Sequence, residues 1–129
     1  MIQPPSGTVT FMFTDIQGST KLWETYPDAM KLALDHHDAL MNQIMEAHNG
    51  YLVKSMGDGI FTAFASASDC AAAAVAIHRG LAEKSWDVVG SLLVRIGMHT
   101  GEAQLREGDY FGGTISRAAR IMGIGYGGQ

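Results

Sequence analysis

Two aspartates, Asp15 and Asp58, stand where apolar segments meet glycine. Asp15 follows the apolar run in "FMFTDIQGST" (residues 11–20), and Asp58 lies at the centre of "KSMGDGIFTAF" (residues 54–64). If these segments are neighbouring strands, the two carboxylates face each other, and like charges at short range raise each other's pKa. A divalent cation resolves this, since Mg²⁺ typically binds through one or two carboxylates together with substrate phosphates. Two such ions about 3.5 to 4 Å apart can activate an attacking oxygen and neutralise a leaving group.

The turn that follows Asp15 favours the same kind of ligand. Gly18, Ser19 and Thr20 open a helix, and helix N-termini present unpaired N–H groups to phosphate. Each aspartate also has a structural alternative, because Asp15 could cap the helix and Asp58 could be an ordinary residue of a Gly-Asp-Gly turn. Because the two aspartates occur together, a metal-binding role is favoured over these structural alternatives.

The hydrophobic pattern predicts the elements that position these residues. Between residues 7 and 16, Val9, Phe11 and Phe13 alternate with threonine and methionine, which predicts a strand with one strongly buried face. Residues 19–48 have helical spacing, and Pro27 is expected to begin the main helix after a short helical turn.

The rest of the chain adds two hairpins and two helices. A hairpin is predicted around residues 57–59, a helix after Ser66, a strand pair turning near residues 107–109, and a helix from Thr114. The order β-α-β-β-α-β-β-α predicts an α+β sandwich with a mainly antiparallel sheet and helices packed on one face. The final residues resemble a turn that leads into a further strand, so C-terminal strands are expected to be missing.

Composition limits the function classes. The 129 residues suffice for one domain, assigned to residues 7–129, after a flexible N-terminal segment at 1–6. A net charge of -4 with scattered Lys and Arg argues against a nucleic-acid partner. No apolar stretch approaches the roughly 20 residues of a membrane span. The N-terminus lacks a secretory pattern, and the single cysteine, Cys70, suits a small core residue, so a cytoplasmic location is predicted.

Four blocks in order resemble a known family. They are "FTDIQGST", "KSMGDGIFTAF", "VRIGMHTGEAQ" and "DYFGGTISRAAR". Together they are similar to the successive conserved blocks of the class III nucleotidyl cyclases, the adenylate and guanylate cyclase catalytic domain, and most like bacterial adenylate cyclases. The likeness runs from Gly7 to Arg120. It implies a ferredoxin-like, palm-type fold, truncated here at its C-terminus.

The resemblance implies a role for each matching residue. Asp15 and Asp58, with the Ile16 carbonyl, would bind two Mg²⁺ or Mn²⁺ ions per site, and the backbone of residues 18–20 would bind the triphosphate. Arg120 would stabilise the pentavalent phosphate. The family acts as a head-to-tail homodimer, in which one chain supplies the metals and the other supplies base recognition and the arginine.

The resemblance also matches Lys54 and Asp109 to the residues that read the base. Adenine offers an acceptor at N1 and a donor at N6, which a lysine beside an aspartate complements, whereas guanine reverses that pattern. ATP is therefore the predicted substrate. The structural alternatives are an edge-strand charge for Lys54 and a turn residue for Asp109.

Two departures from the family pattern leave other functions open. Ser116 stands where the family usually has an asparagine that orients the ribose, and the family's triphosphate-binding lysine would lie beyond residue 129. The alternatives are a cyclase-like module that binds nucleotide or dimerises without turnover, and a guanylate cyclase. Arg117 is assigned to packing or the dimer surface. Structural or surface roles are assigned to four histidines, His37, His48, His78 and His99.

Overall fold

The computed structural model describes residues 3–86 and 89–129. Nine elements follow one another: β1 (Gly7–Ile16), α1 (Ser19–Thr25), α2 (Pro27–Ala47), β2 (Gly50–Ser55), β3 (Gly59–Phe64), α3 (Ala67–Glu83), β4 (Val94–Arg106), β5 (Asp109–Phe111) and α4 (Gly113–Gly123). The strands form one sheet in the order β2-β3-β1-β4-β5, with every neighbouring pair antiparallel. The predicted α+β class and element order are confirmed.

Local signals explain where the helices begin and end. Pro27 occupies the first turn of α2, where its missing N–H costs nothing. Asn49 follows that helix with φ of 60°, the left-handed conformation that commonly ends helices. Ser66 caps α3, because its hydroxyl accepts the backbone N–H of Asp69 at 3.2 Å. These boundaries agree with the predicted ones.

Strand β1 is buried on both faces, which corrects the prediction of one strongly buried face. Phe11 and Phe13 pack into one cluster, while Met12 and Ile16 pack into a second cluster on the opposite face. Thr14 is fully buried as well. Because β1 lies at the centre of the sheet and helices cover both of its sides, Thr10, Met12 and Thr14 are also interior.

The prediction that all helices share one face is wrong for α4. Helices α2 and α3 pack with Met12 and Ile16, whereas Ala118 of α4 packs with Phe11 and Phe13. The contact between α4 and β4 requires glycine at position 97, since a Cβ there would lie 2.2 Å from the backbone nitrogen of Met122. Helix α4 therefore packs directly on β4, which follows in the chain the segments that carry Asp15 and Asp58.

The cysteine and the four histidines assigned to structural or surface roles are buried or half-buried. Cys70 is fully buried, and burial raises the pKa of its thiol to about 12, so it is not a thiolate nucleophile. His37 is fully buried, with Nδ1 2.9 Å from the adjacent Asp38 carboxylate. His48, His78 and His99 are half-buried. Among the described residues, no helix combines the length and apolarity needed to cross a membrane.

The chain end lies against β4. The backbone N–H of Gly128 donates to the Val94 carbonyl at 2.9 Å, and the N–H of Ile96 donates to the Gln129 carbonyl at 3.1 Å. The side chain of Gln17 accepts the Gly127 N–H. The last residues therefore run along the free edge of the first half of β4, beside the end of β1 that carries Asp15.

Candidate active site

The structure brings Asp15 and Asp58 to the same end of the sheet. Asp15 is the penultimate residue of β1 and lies opposite Gly59 in the pairing with β3. The N–H of Ile16 donates to the Asp58 carbonyl at 2.8 Å, so the two aspartate-bearing segments touch through their backbones. A Cβ at Gly59 would lie 1.9 Å from the Thr14 carbonyl oxygen. Glycine beside Asp58 is thus what lets the hairpin tip close onto β1.

The turn after β1 is tied to the same point. The hydroxyl of Ser19 donates to Oδ2 of Asp58 at 2.6 Å. Gly18, at the N-cap of α1, has φ of 67° and no side-chain cap. Asp15 therefore does not cap the helix, so the predicted capping alternative for that residue is wrong. Asp58 does occupy the tight turn between β2 and β3, as both interpretations required.

Arg95 is a site residue that the sequence reasoning missed. It lies opposite Asp15 in the pairing of β1 with β4. Its Nε donates to Oδ1 of Asp15 at 2.7 Å, its Nη2 donates to Oδ2, and its Nη1 reaches the Gly123 carbonyl at 3.1 Å. The hydrogen bond to Asp15 raises the pKa of Arg95 above its already high value. A permanent cation therefore balances Asp15, and α4 is joined to that pair through its last carbonyl.

The donor groups suit a hard divalent cation. No cluster of three or more His, Cys, Asp or Glu side chains occurs in the described part of the chain, so a closed zinc-type cage is not formed by those residues. Two carboxylates beside a hydroxyl and backbone carbonyls are all-oxygen donors, which Mg²⁺ prefers, and such sites are completed by water and substrate phosphates. Asp15 and Asp58 fit this chemistry, with Arg95 as a competitor for the first carboxylate.

Lys54 and Asp109 meet, although they are 55 positions apart. The Nζ of Lys54 lies 3.2 Å from Oδ2 of Asp109, and the two side chains are 50% and 38% exposed. A register shift between Leu52 and Lys54 in the β2–β3 pairing marks a bulge, a feature that redirects side chains. The Lys54 ammonium lies 5.9 Å from the centre of the Phe61 ring. The expected juxtaposition is therefore present within one chain.

Asp109 is held from two sides. Its Oδ1 accepts the backbone N–H of Tyr110 at 2.8 Å. That hydrogen bond, followed by the one from Lys54, lowers the pKa of Asp109, so the carboxylate is ionised at neutral pH. An open surface cavity of about 720 Å³ adjoins it and is lined by Arg106, Glu107 and Phe111. The carboxylate thus faces space that a ligand could enter.

Ser116 and Arg120 lie on α4 and are exposed, as is Arg117. Within the described ranges 3–86 and 89–129, neither Ser116 nor Arg120 hydrogen-bonds to Asp15, Asp58, Lys54 or Asp109 through its side chain. A single chain therefore brings together the two carboxylates and, separately, the Lys54–Asp109 pair. It leaves the side chains of Ser116 and Arg120 exposed on α4.

Comparison with known proteins gives these positions a family context. The family model described as adenylate and guanylate cyclase catalytic domain matches residues 1–129. An uncharacterized protein of Mycobacterium tuberculosis is 38% identical over 128 residues, which cover 98% of this chain and 42% of that protein. The adenylate cyclase of Lachancea kluyveri is 32% identical over 153 residues, covering 99% of this chain and 8% of the enzyme.

Solved structures agree with the fold. A structure of adenylate cyclases from Trypanosoma brucei in their monomeric state superposes with a TM-score of 0.90 at 27% identity, covering 98% of this chain and 73% of that one. The present chain spans less than half the length of the curated relatives cited above. The fold, the family model and these relatives show that the chain belongs to the class III adenylate and guanylate cyclase catalytic domain family.

Proposed function

We propose that this domain is an adenylate cyclase that converts ATP to 3′,5′-cyclic AMP and pyrophosphate. The single observation that carries the choice of ATP is the contact between Lys54 and Asp109 at 3.2 Å. An ammonium beside a carboxylate offers one donor and one acceptor, which complement N1 and N6 of adenine. Guanine would place its N1 donor against the Lys54 donor, so GTP is the disfavoured substrate.

The end of the sheet that carries Asp15 and Asp58 is proposed to bind the triphosphate. Asp15, Asp58 and the Ile16 carbonyl would hold two Mg²⁺ or Mn²⁺ ions. When bound, these ions supply activation of the attacking 3′ oxygen and neutralisation of the leaving pyrophosphate. The Gly18–Thr20 turn would orient the phosphates through its N–H groups. Ser19, which already donates to Asp58, would fix that carboxylate in place.

Arg95 sets a condition for metal binding. Both oxygens of Asp15 accept from its guanidinium, so binding a divalent ion at Asp15 requires that this pairing be shared or broken. The guanidinium released in this way stays next to the proposed phosphate site, where bidentate pairing with phosphate oxygens is favourable. Arg95, which balances the charge of Asp15 when no metal is bound, would then balance the charge of the substrate phosphates.

The side chains of α4 are proposed to act on a second copy's substrate. Arg120 would stabilise the charge that develops on the α-phosphate, and Ser116 would position the ribose. Neither contacts the carboxylates of its own chain, and both are exposed. A head-to-tail homodimer would place Arg120 and the Lys54–Asp109 pair of one copy opposite Asp15 and Asp58 of the other.

Co-expression of two inactive variants tests this arrangement. Asp58→Asn and Arg120→Ala are each expected to be inactive. In a dimer of either variant, both sites lack the same half: the metal-binding half in Asp58→Asn and the arginine half in Arg120→Ala. In a mixed dimer one site carries both defects and the other carries none. Random pairing makes half the dimers mixed, so cyclic AMP formation should recover to about a quarter of the wild-type level.

The matched control pairs Asp58→Asn with Asp15→Asn. Both changes fall in the same half-site, so every site of the mixed dimer is defective and no recovery is expected. If Asp58→Asn with Arg120→Ala recovers no more than this control, the two-copy site is wrong.

A module that binds nucleotide or dimerises without turnover is the second candidate. The specific observation that favours it is the Arg95–Asp15 pairing, which leaves Asp15 charge-balanced without any metal. Ser116, shorter than the family's asparagine, favours it as well. ATP binding without formation of cyclic AMP would support this candidate.

Two further predictions stay open to test. Product analysis would test a guanylate cyclase, and localisation would test a cytoplasmic location.

A further inference from the structure

The strand that carries Asp109 has one buried side chain. β5 contains three residues and lies at the edge of the sheet, and in the described part of the chain it pairs with residues 104–106 of β4 alone. Its central residue, Tyr110, is 4% exposed, whereas Asp109 is half-buried and Phe111 is exposed. Because Tyr110 is the buried member of the three, the fixing of its side chain contributes, together with the pairing to β4, to where Asp109 stands relative to Lys54.

The Tyr110 ring is held by aromatic packing. It meets Phe11 edge-on, with the ring centres 5.0 Å apart, and it meets Phe61 edge-on at 6.5 Å. Phe61 in turn stacks on Phe13 at 4.4 Å and lies beneath the Lys54 ammonium. One aromatic cluster therefore supports both members of the Lys54–Asp109 pair, with Phe61 contacting the lysine and Tyr110 adjoining the aspartate.

The Tyr110 hydroxyl reaches out of this cluster to the segment before β1. It donates to the carbonyl oxygen of Pro5 at 2.6 Å across 105 positions of sequence. Burial raises the pKa of Tyr110 to about 12, so the hydroxyl remains a donor at neutral pH. Pro4 and Pro5 are half-buried. Two consecutive prolines restrict φ and so present the acceptor carbonyl with little conformational freedom.

We propose that the Tyr110–Pro5 hydrogen bond is a latch that holds Asp109 against Lys54. Tyr110 is a positioning residue in this proposal, since it acts through Asp109 and touches no substrate. The segment before β1 thereby becomes part of the base-recognition apparatus. The consequence for base preference rests on the proposed adenylate cyclase function, whereas the placement of Asp109 does not.

Tyr110→Phe tests the latch, because it removes the hydroxyl and keeps the ring. Two readouts need no activity: hydrogen exchange of the backbone amides of residues 109–111, and the rate at which an amine-reactive reagent labels Lys54. A hydrogen bond of ordinary strength predicts roughly fivefold faster exchange. Labelling of Lys54 should accelerate, while the amides of β1 and β3 should exchange as before. Tyr126→Phe, the same chemical change at an exposed tyrosine, should alter neither readout.

A double variant, Pro4→Gly with Pro5→Gly, loosens the other end of the latch. It should reproduce the effect of Tyr110→Phe, and combining the two should add nothing further, because either change alone releases β5. Additive effects, or unchanged exchange at residues 109–111, would overturn the latch. Faster exchange with unchanged labelling of Lys54 would show that the Tyr110–Pro5 hydrogen bond does not place Asp109.

Turnover adds a third readout in the protein expressed from its full reading frame. The kcat/KM ratio for ATP over GTP should fall roughly fivefold in Tyr110→Phe, because a displaced Asp109 reads N6 less well. An unchanged ratio in an active enzyme would overturn the link to base preference. If the wild type turns over neither nucleotide, the adenylate cyclase proposal fails, and exchange and labelling still decide whether the latch exists.

Discussion

Asp58→Asn is expected to lower cyclic AMP formation at least about a hundredfold while leaving the fold intact. A catalytic metal supplies several kcal/mol of charge stabilisation in the transition state, and each 1.4 kcal/mol is about tenfold in rate. Asparagine keeps an oxygen that can accept from Ser19, so the 2.6 Å contact at the hairpin tip has a replacement. The measurement is kcat/KM for ATP with Mn²⁺, together with urea unfolding of each variant.

Asp58 gives a cleaner test than Asp15. Asp15→Asn should be equally inactive, yet it also removes the ion pair with Arg95, whose side chain is 29% exposed. A partly exposed pair contributes on the order of 1 kcal/mol to folding, so a small loss of stability is expected there. Asp35→Asn, the same change at an exposed position of α2, should affect neither activity nor stability. Retained turnover in Asp58→Asn would refute the proposed metal site.

Exchanging the charges of Lys54 and Asp109 is expected to reverse base preference. In Lys54→Glu with Asp109→Lys, the new carboxylate would accept from N1 of guanine and the new ammonium would donate to O6. The ratio of kcat/KM for ATP over GTP should fall by at least about a hundredfold, because a site built for hydrogen bonds strongly rejects a base that leaves them unpaired. Product analysis on both nucleotides measures this ratio.

The exchange should lower folding stability only slightly, because the one hydrogen bond it removes is the one that the Tyr110 N–H donates to Asp109. Both side chains are substantially exposed, and an exposed ion pair contributes only about 0 to 1 kcal/mol. The reversed pair can still form. The matched control exchanges Lys31 and Asp35, which are exposed and four residues apart on α2. An ATP preference equal to that of the control would show that Lys54 and Asp109 do not read the base.

The sequence indicates some contacts correctly. The family resemblance pairs Lys54 with Asp109 as the two residues that read the base, and the structure places them in contact. Glycines flanking Asp58 indicated a tight turn, and a Cβ at Gly59 would collide with β1. In the turn the local chemistry restricts the geometry to few solutions, whereas the pairing of Lys54 with Asp109 depends on the family resemblance.

Arg95 and α4 show what the sequence does not encode locally. Arg95 meets Asp15 only because β1 pairs with β4 in one register across 80 positions, and no local pattern specifies that register. The side of the sheet that a helix covers is equally a property of the whole topology. The apolar Met12 among the threonines of β1 is the available signal for a second covered face, whereas the alternation with threonine predicts only one strongly buried face.

The analysis of products from ATP and GTP, with Mn²⁺ and the protein expressed from its full reading frame, tests the central claim most directly. Chromatography and mass spectrometry would identify cyclic nucleotides, and the Asp58→Asn variant would set the background. The proposed function predicts 3′,5′-cyclic AMP from ATP well above the level formed by the variant, and little cyclic GMP from GTP. No cyclic nucleotide from either substrate would contradict it and favour a nucleotide-binding or dimerisation module.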